Sequence, residues 1–156
     1  MKMANLAQTI NVLQALILTD KEKMLLTPTY YVFDLYKAHQ DATLIPLSIQ
    51  SKDYVLGSEK LPAINGSGSI DKNGTITLTL VNIDPANSQE ITLDLADAQS
   101  LKVSGQVITA SKYTDHNTFD KPGTVKPQPF DGAKKSKSGL TITLPAKSVV
   151  ALTLTK

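Results

Sequence analysis

The spacing of the apolar residues changes near residue 42, and this change constrains the fold more than any other feature of the sequence. Beyond that point apolar residues and threonines alternate with a period of two, most clearly at 76–80, 91–95 and 140–144. Such alternation is typical of β-strands that bury one face. We therefore expect the leucine and β-branched side chains to face a core and the threonines to face solvent.

Further strands are predicted around Leu44, Leu47 and Ile49, and at 102–109 and 149–154. Turn residues separate the strands at 71–74, 84–87 and 138–139. Gly66 and Gly68 indicate a bend or bulge within a strand. Six or seven short antiparallel strands with tight turns predict a mainly β fold, an antiparallel β-sandwich of jelly-roll type.

The residues before this region follow another pattern. A nearly continuous apolar stretch at 10–18 predicts burial on more than one side, and its spacing leaves helix and strand both open. A polar turn follows at 20–23. Thr27 and Pro28 match the N-cap and first position of a helix that is predicted to end near His39. One buried stripe is expected on this helix, formed by Tyr31, Phe33, Leu35, Tyr36 and Ala38.

Residues 111–137 show no strand pattern, and a loop of this length in a compact sandwich is usually functional or packed against another element. Phe119 and Phe130 are its expected anchors. Asp115 and His116 could be read as part of a catalytic triad, but no nucleophile motif accompanies them. Hydrogen bonds from Asp115, His116 and Asn117 that cap the loop are the favoured interpretation.

Composition excludes several classes of function. The net charge of +2 comes from sixteen lysines without arginine, and nucleic-acid sites favour arginine with interleaved aromatic residues. The cluster of Lys134, Lys135 and Lys137 is predicted to be a solvated loop. The sequence lacks cysteine and has two distant histidines, so we expect no metal and no cofactor. We expect no membrane partner, because no apolar run approaches the roughly 20 residues of a membrane span.

No catalytic residue stands out. Glu22, Glu59 and Glu90 lie in polar contexts that do not suggest an acid with a shifted pKa. Tyr54 and Tyr113 are weak candidates for stacking against a sugar. The sequence contains no tryptophan. No signal peptide pattern is seen at the start, and any signal would lie upstream, so a cytoplasmic and a periplasmic or secreted location both remain open.

Several segments resemble glycoside hydrolase family 51, the α-L-arabinofuranosidases. Residues 3–19 and 26–37 resemble the end of the catalytic barrel of that family. Residues 80–84, 115–122, 125–127 and 144–150 resemble its C-terminal β-sandwich, in the same order. The resemblance covers nearly the whole chain, and the Asp-His-Asn-Thr-Phe run at 115–119 is its most specific part.

The resemblance implies two domains. Residues 1–41 would be the C-terminal remnant of a (β/α)8 barrel, with the eighth strand at 2–8 and the last barrel helix at 28–39. Residues 42–156 would be the sandwich. The family consists of retaining glycosidases that hydrolyse terminal non-reducing α-L-arabinofuranosyl residues of arabinan or arabinoxylan. Its two catalytic glutamates lie on earlier barrel strands, the acid/base directly after an asparagine, and this chain has no Asn-Glu pair. We expect the chain alone to be structural or accessory and inactive.

Gln8 is the one substrate-binding candidate, because in the family a glutamine at the matching position lies against the arabinofuranose. The alternative is that Gln8 only caps the end of the strand. The implied partners are the upstream barrel of the same polypeptide, an arabinofuranoside bound by the full-length enzyme, and further copies in a homo-oligomer.

Two other functions remain open at this stage. One is an autonomous carbohydrate-binding module for arabinose-containing polysaccharides, which the missing tryptophan disfavours. The other is a free-standing oligomerisation domain.

Overall fold

A computed structural model describes residues 8–95, 98–136 and 139–156. Within these ranges the chain forms the helix α1 (Pro28–Tyr36), short 3-10 helices at Lys37–His39 and Ala98–Ser100, and the strands β1 (Ile17–Asp20), β2 (Lys23–Leu26), β3 (Thr43–Ile45), β4 (Asp53–Leu56), β5 (Glu59–Pro62), β6 (Ile64–Ile70), β7 (Ile76–Asn82), β8 (Gln89–Asp94), β9 (Lys102–Ile108), β10 (Gln128–Pro129), β11 (Ala133–Ser136), β12 (Gly139–Leu144) and β13 (Ser148–Thr155).

The strands form a large sheet, a small sheet and two separate hairpins. The large sheet has the order β10-β9-β13-β7-β6-β3 and the small sheet the order β11-β12-β8, while β1-β2 and β4-β5 are hairpins. Every strand pair is antiparallel. The predicted mainly β, antiparallel fold is thus confirmed.

The main core joins the two sheets. It consists of leucine, isoleucine and valine side chains at the alternate positions predicted from the sequence, among them Leu78, Leu80, Leu140, Ile142, Leu144, Val150, Leu152 and Leu154. The last six of these are completely shielded from solvent. Burial of each such side chain contributes about 1.5–3 kcal/mol, so this core dominates the stability of the sandwich.

The prediction that the threonines face solvent is wrong for the centre of the large sheet. Thr77 and Thr79 are buried, with exposed fractions of 6% and 0%. The reason is that α1 and the following 3-10 helix cover the outer face of this sheet. Leu35 of α1 packs there in a second apolar cluster with Ile108 and Val125. The centre of the large sheet is therefore covered on both faces, while Ser104 and Gln106 on its outer face stay exposed.

The predicted bulge at Gly66 and Gly68 is also wrong, because β6 pairs with β7 without interruption. A Cβ atom on Gly66 would lie 3.0 Å from Cδ1 of Ile49, and one on Gly68 would lie 3.1 Å from Cδ2 of Leu47. The two glycines leave the space in which Leu47 and Ile49 pack onto the core.

The apolar stretch at 10–18 forms neither a helix nor a buried strand. Ile10 makes an isolated bridge with Ile17, and β1 then pairs with β2 around the predicted polar turn. The expected burial is confirmed only for Ala15, which is 2% exposed, and is wrong for Ile10 and Leu13, which are 51% and 93% exposed. The sandwich does not reach these side chains. The predicted barrel strand at 2–8 lies outside the described residues except for Gln8.

The predicted helix is confirmed, with α1 followed by a 3-10 turn that ends at His39. Its predicted stripe is only partly buried, since Leu35 is buried but Phe33 is 41% exposed and Ala38 is exposed. Phe33 belongs to the helix surface that points away from the sheet. The helix thus presents apolar area on more than one side.

The turns at 71–74 and 84–87 are confirmed. Each begins with an aspartate whose carboxylate accepts backbone N–H groups two to four residues later. These hydrogen bonds lower the pKa of Asp71 and Asp84, because they favour the charged carboxylates. Ser138, in the third predicted turn, lies outside the described residues.

The long segment 111–137 contains two strands that the sequence did not predict, β10 and β11. Strand β11 is an edge strand, and it carries Lys134 and Lys135 exposed to solvent. Edge strands tolerate such polar sequences, because charged residues there discourage pairing with other chains. Solvent exposure of these lysines was correctly predicted, but they lie on a strand rather than a loop. Lys137 lies outside the described residues.

Candidate functional site

Gln8 is exposed and lies at the start of the described chain. The residue after it is held firmly: the backbone oxygen of Thr9 accepts hydrogen bonds from the N–H groups of Leu16 and Ile17, both at 3.0 Å. Gln8 therefore directly precedes a backbone segment that is hydrogen-bonded to the start of β1. Its amide can donate and accept hydrogen bonds, which is the chemistry needed to bind a sugar hydroxyl.

Asn11 stabilises the loop that follows Gln8. Its φ of 55° lies in the left-handed region, which asparagine tolerates better than most residues. The side-chain Oδ1 accepts from the backbone N–H of Thr19 at 2.7 Å, and Nδ2 donates to the hydroxyl of Thr19 at 2.8 Å. The segment 8–27, which we call the opening segment, is thus a compact unit built around the β1-β2 hairpin.

Thr27 joins the opening segment to α1. Its hydroxyl accepts from the N–H of Tyr30 at 3.4 Å and donates to the backbone oxygen of Ala15 at 2.8 Å. The N-cap predicted from the sequence is confirmed. The same side chain also fixes the direction in which the opening segment enters the helix.

Asn117 ties the opening segment to the sandwich, a role that the sequence reasoning missed. The residue is buried, with 5% of its surface exposed. Its Nδ2 donates to the backbone oxygens of Leu26 at 2.8 Å and Val125 at 2.9 Å, while Oδ1 accepts from the N–H of Val125 at 2.7 Å. Three hydrogen bonds of one side chain therefore connect the end of β2 with the long loop.

Asp115 and His116, in the same Asp-His-Asn-Thr-Phe run, make hydrogen bonds within their own loop. Asp115 accepts from the backbone N–H of Lys112 at 2.9 Å, and Nδ1 of His116 lies 3.0 Å from the oxygen of Thr114. Both bonds are local, which supports loop capping over a triad. Of the two expected anchors, Phe130 packs against the main core and Phe119 is half-buried.

Glu22, Glu59 and Glu90 are all exposed, as the sequence indicated. Among the residues that the structure describes, no group of three or more histidine, cysteine or acidic side chains could hold a metal ion. In the same part of the chain, no helix is both long and apolar enough to cross a membrane. The aromatic candidates differ in exposure: Tyr113 is 83% exposed, whereas Tyr54 is half-buried on β4.

His39 links the helical region to the large sheet. Its Nδ1 lies 2.7 Å from the hydroxyl of Ser69 on β6, and its Nε2 lies 3.0 Å from the hydroxyl of Thr79 on β7. Partial burial lowers the pKa of His39, because it disfavours the charged imidazolium. The neutral ring can donate to one hydroxyl and accept from the other, so both contacts are satisfied without charge.

Comparison with known proteins identifies relatives that match nearly the whole chain. Residues 1–148 match the family described as alpha-L-arabinofuranosidase C-terminal domain. An intracellular exo-alpha-L-arabinofuranosidase of Bacteroides ovatus is 47% identical over 155 residues, which is 99% of this chain and 30% of the relative. The chain thus spans under a third of that relative's length.

Two solved structures resemble the fold. The GH51 arabinofuranosidase from Xanthomonas axonopodis pv. citri matches with a TM-score of 0.88 and 42% identity over 99% of this chain and 31% of that one. A family 51 alpha-L-arabinofuranosidase from Bifidobacterium longum matches with a TM-score of 0.83 and 26% identity, over 96% of this chain and 30% of its own length.

Proposed function

Because the chain belongs to the family of α-L-arabinofuranosidase C-terminal domains, we propose that it is the C-terminal part of a larger retaining glycosidase. The substrate class would be terminal non-reducing α-L-arabinofuranosyl residues of arabinan or arabinoxylan. The observation that carries this proposal is the match over nearly the whole chain to relatives of which the chain spans about 30%.

In this proposal the chemistry resides upstream. A retaining glycosidase needs two carboxyl groups about 5–5.5 Å apart that flank the scissile bond. The three glutamates of this chain are exposed and lie on separate elements, namely the β1-β2 turn, β5 and β8. We assign the catalytic pair to a barrel that precedes this chain in the same polypeptide. The purified chain alone should release no arabinose from an aryl arabinofuranoside, and measurable release would contradict the proposal.

Residues 1–41 would complete that barrel, while residues 42–156 would form the supporting sandwich. Four exposed apolar side chains of the opening segment and α1 support this division: Ile10, Leu13, Met24 and Phe33. Exposed apolar residues also occur in the sandwich, on β3 and on the β4-β5 hairpin. Large exposed apolar patches often mark interaction sites, and we propose that the apolar area of the opening segment and α1 is one. The upstream barrel would cover it, and Asn117 and Thr27 would hold the two domains in a fixed orientation.

Within the complete enzyme, Gln8 would bind the substrate. Barrel enzymes place working residues at the C-terminal ends of their strands, and Gln8 directly precedes the anchored Thr9 backbone. A hydrogen bond from the Gln8 amide to a sugar hydroxyl would fix the orientation of the arabinofuranose. The other interpretation, a cap at the strand end, predicts a loss of stability instead of a loss of activity.

The test compares Gln8→Ala with Gln40→Ala in the full-length polypeptide. Gln40 is also exposed and follows the 3-10 turn after α1. Loss of one hydrogen bond to the substrate predicts a decrease in kcat/KM of about threefold to tenfold for Gln8→Ala, with an unchanged melting temperature. Gln40→Ala should match the parent enzyme. A decrease in melting temperature with unchanged kcat/KM would assign Gln8 to strand capping.

A further inference from the structure

A polar groove lies between α1 and the outer face of the large sheet, away from the opening segment. Its volume is about 430 Å³, within the range of small-molecule sites. Helical residues form one wall and the sheet forms the floor. The lining residues used below are Asp34, Lys37, Thr77, Ser104, Gln106 and Thr153.

The floor of the groove is a row of hydroxyl groups fixed by strand register. Thr153 on β13 lies opposite Ser104 on β9 and opposite Thr77 on β7. Directly opposed side chains on neighbouring strands stand about 5 Å apart. Gln106 lies two residues from Ser104 on β9, so its amide extends from the same face of the sheet.

Thr77 is the most informative residue in this row. It is 94% buried, because only 6% of its surface is exposed. Its hydroxyl nevertheless makes no hydrogen bond to any residue in the described ranges, and the same holds for the polar side-chain groups of Ser104, Gln106 and Thr153. Among the described residues, only the hydroxyl of Ser136 is both fully enclosed and without a hydrogen bond, so the Thr77 hydroxyl reaches the space of the groove. A ligand in the groove could therefore form a hydrogen bond with it without displacing a protein partner.

The charges at the rim indicate which ligand would fit. Lys37 and Asp34 form an ion pair at 2.6 Å, so the groove presents no uncompensated charge among the residues that line it. Hydroxyl and amide groups without net charge match a neutral polyhydroxylated molecule better than an anion. We propose that this groove is an accessory binding site for a neutral saccharide.

The site would hold a polysaccharide chain without taking part in its cleavage. The floor offers methyl groups of Thr77 and Thr153 beside their hydroxyls, a mixture suited to the apolar and polar faces of a sugar ring. The described lining residues include no aromatic side chain for stacking. We therefore expect weak binding, in the millimolar range that corresponds to about 4 kcal/mol.

The experiment is an NMR titration of the ¹⁵N-labelled 156-residue chain with α-1,5-linked arabinotriose. Saturable shifts should be largest for the amides of Thr77, Ser104, Gln106 and Thr153. Thr77→Val should weaken binding about fivefold to tenfold. Its melting temperature should be unchanged or higher, because the substitution removes an unpartnered hydroxyl while keeping the side-chain shape. The matched control is Thr141→Val on the small sheet, which should bind like the parent chain.

Gln106→Ala provides a second variant that does not endanger folding, since Gln106 is exposed. It should also weaken binding. Absence of saturable shifts, or saturable shifts that survive both Thr77→Val and Gln106→Ala, would overturn the proposal. Shifts that disappear with Gln8→Ala would place the binding on the opening segment and would also overturn it. Failure of the full-length protein to hydrolyse arabinofuranosides would affect only the proposed function, because this titration uses no upstream sequence.

Discussion

The opening segment and the β-sandwich differ in how far they bury their large apolar side chains. In the sandwich, Leu140, Leu152 and Leu154 are completely buried between the two sheets. In the opening segment, Leu13 is 93% exposed and Met24 is 64% exposed. The two sheets therefore enclose a core of their own, whereas within residues 8–27 only Ala15 and Leu25 are buried. We expect the sandwich to fold by itself and the opening segment to require a partner surface.

The test with the largest expected effect makes the same substitution, leucine to alanine, at one site in each region. Leu152→Ala should lower the free energy of unfolding by about 2–5 kcal/mol, because it leaves a cavity in the main core. Leu13→Ala should change it by less than about 0.5 kcal/mol, as expected for an exposed position. Urea unfolding followed by circular dichroism measures both values.

A similar loss of stability in the two variants would show that Leu13 is buried in solution. It would contradict the exposure of Leu13 in the structure. In the full-length polypeptide the contrast should diminish, because the barrel would then cover Leu13. An unchanged effect of Leu13→Ala in that context would argue that the barrel docks elsewhere.

The second test concerns the connection between the two regions. Asn117→Ala removes the partners of two backbone oxygens and one backbone N–H, at Leu26 and Val125. We expect a loss of about 1–3 kcal/mol in the free energy of unfolding, the usual cost of buried groups left unpaired. Hydrogen exchange should accelerate mainly at residues 16–27 and 117–125, and much less at β13.

The control for this test is Asn65→Ala, an asparagine that is exposed on β6. It should leave both the stability and the exchange pattern unchanged. Uniform acceleration of exchange across the sandwich in Asn117→Ala would mean that the opening segment and the sandwich unfold as one unit. The distinction between a self-sufficient sandwich and an attached segment would then fail.

The sequence predicted the features that depend on local pattern. Alternation along 76–80 and 140–144 located β7 and β12, and the Thr27-Pro28 pair located the start of α1. These signals act over a few residues, since side-chain direction and capping depend on the neighbouring backbone. The edge strand β11 was missed because half-exposed lysine-rich residues carry no alternation.

Other features could not be predicted because they arise from contacts distant in sequence. The burial of Thr79 depends on His39, forty residues earlier, and the role of Asn117 depends on Leu26, 91 residues earlier. The apolar run at 10–18 predicted burial, but within this run only Ala15 is buried in the described structure. Gln8 was located through a family resemblance, and its role stays a prediction.

The smallest expected effect concerns the contact of the helical region with the large sheet, at His39. Because burial lowers its pKa below the ordinary value of 6.5, the unfolded chain binds a proton more readily than the folded chain. The contribution of neutral His39 to stability is therefore present above pH 6.5 and is lost as the pH falls from 6.5 towards the pKa of His39 in the folded chain. The free energy of unfolding should decrease between pH 7 and pH 5 in the parent chain.

His39→Gln tests this assignment, because a glutamine can donate and accept hydrogen bonds at Ser69 and Thr79 without titrating. The variant should lose the dependence on pH in this interval, whereas Asp71 and Asp84, whose pKa values are lowered from 3.8, act only at more acidic pH. An unchanged pH dependence in His39→Gln would show that the contact between the 3-10 helix and the sheet does not require a neutral His39. Because α1 leads from the opening segment into this 3-10 helix, the contacts of His39 with Ser69 and Thr79 help to hold the helical region on the large sheet.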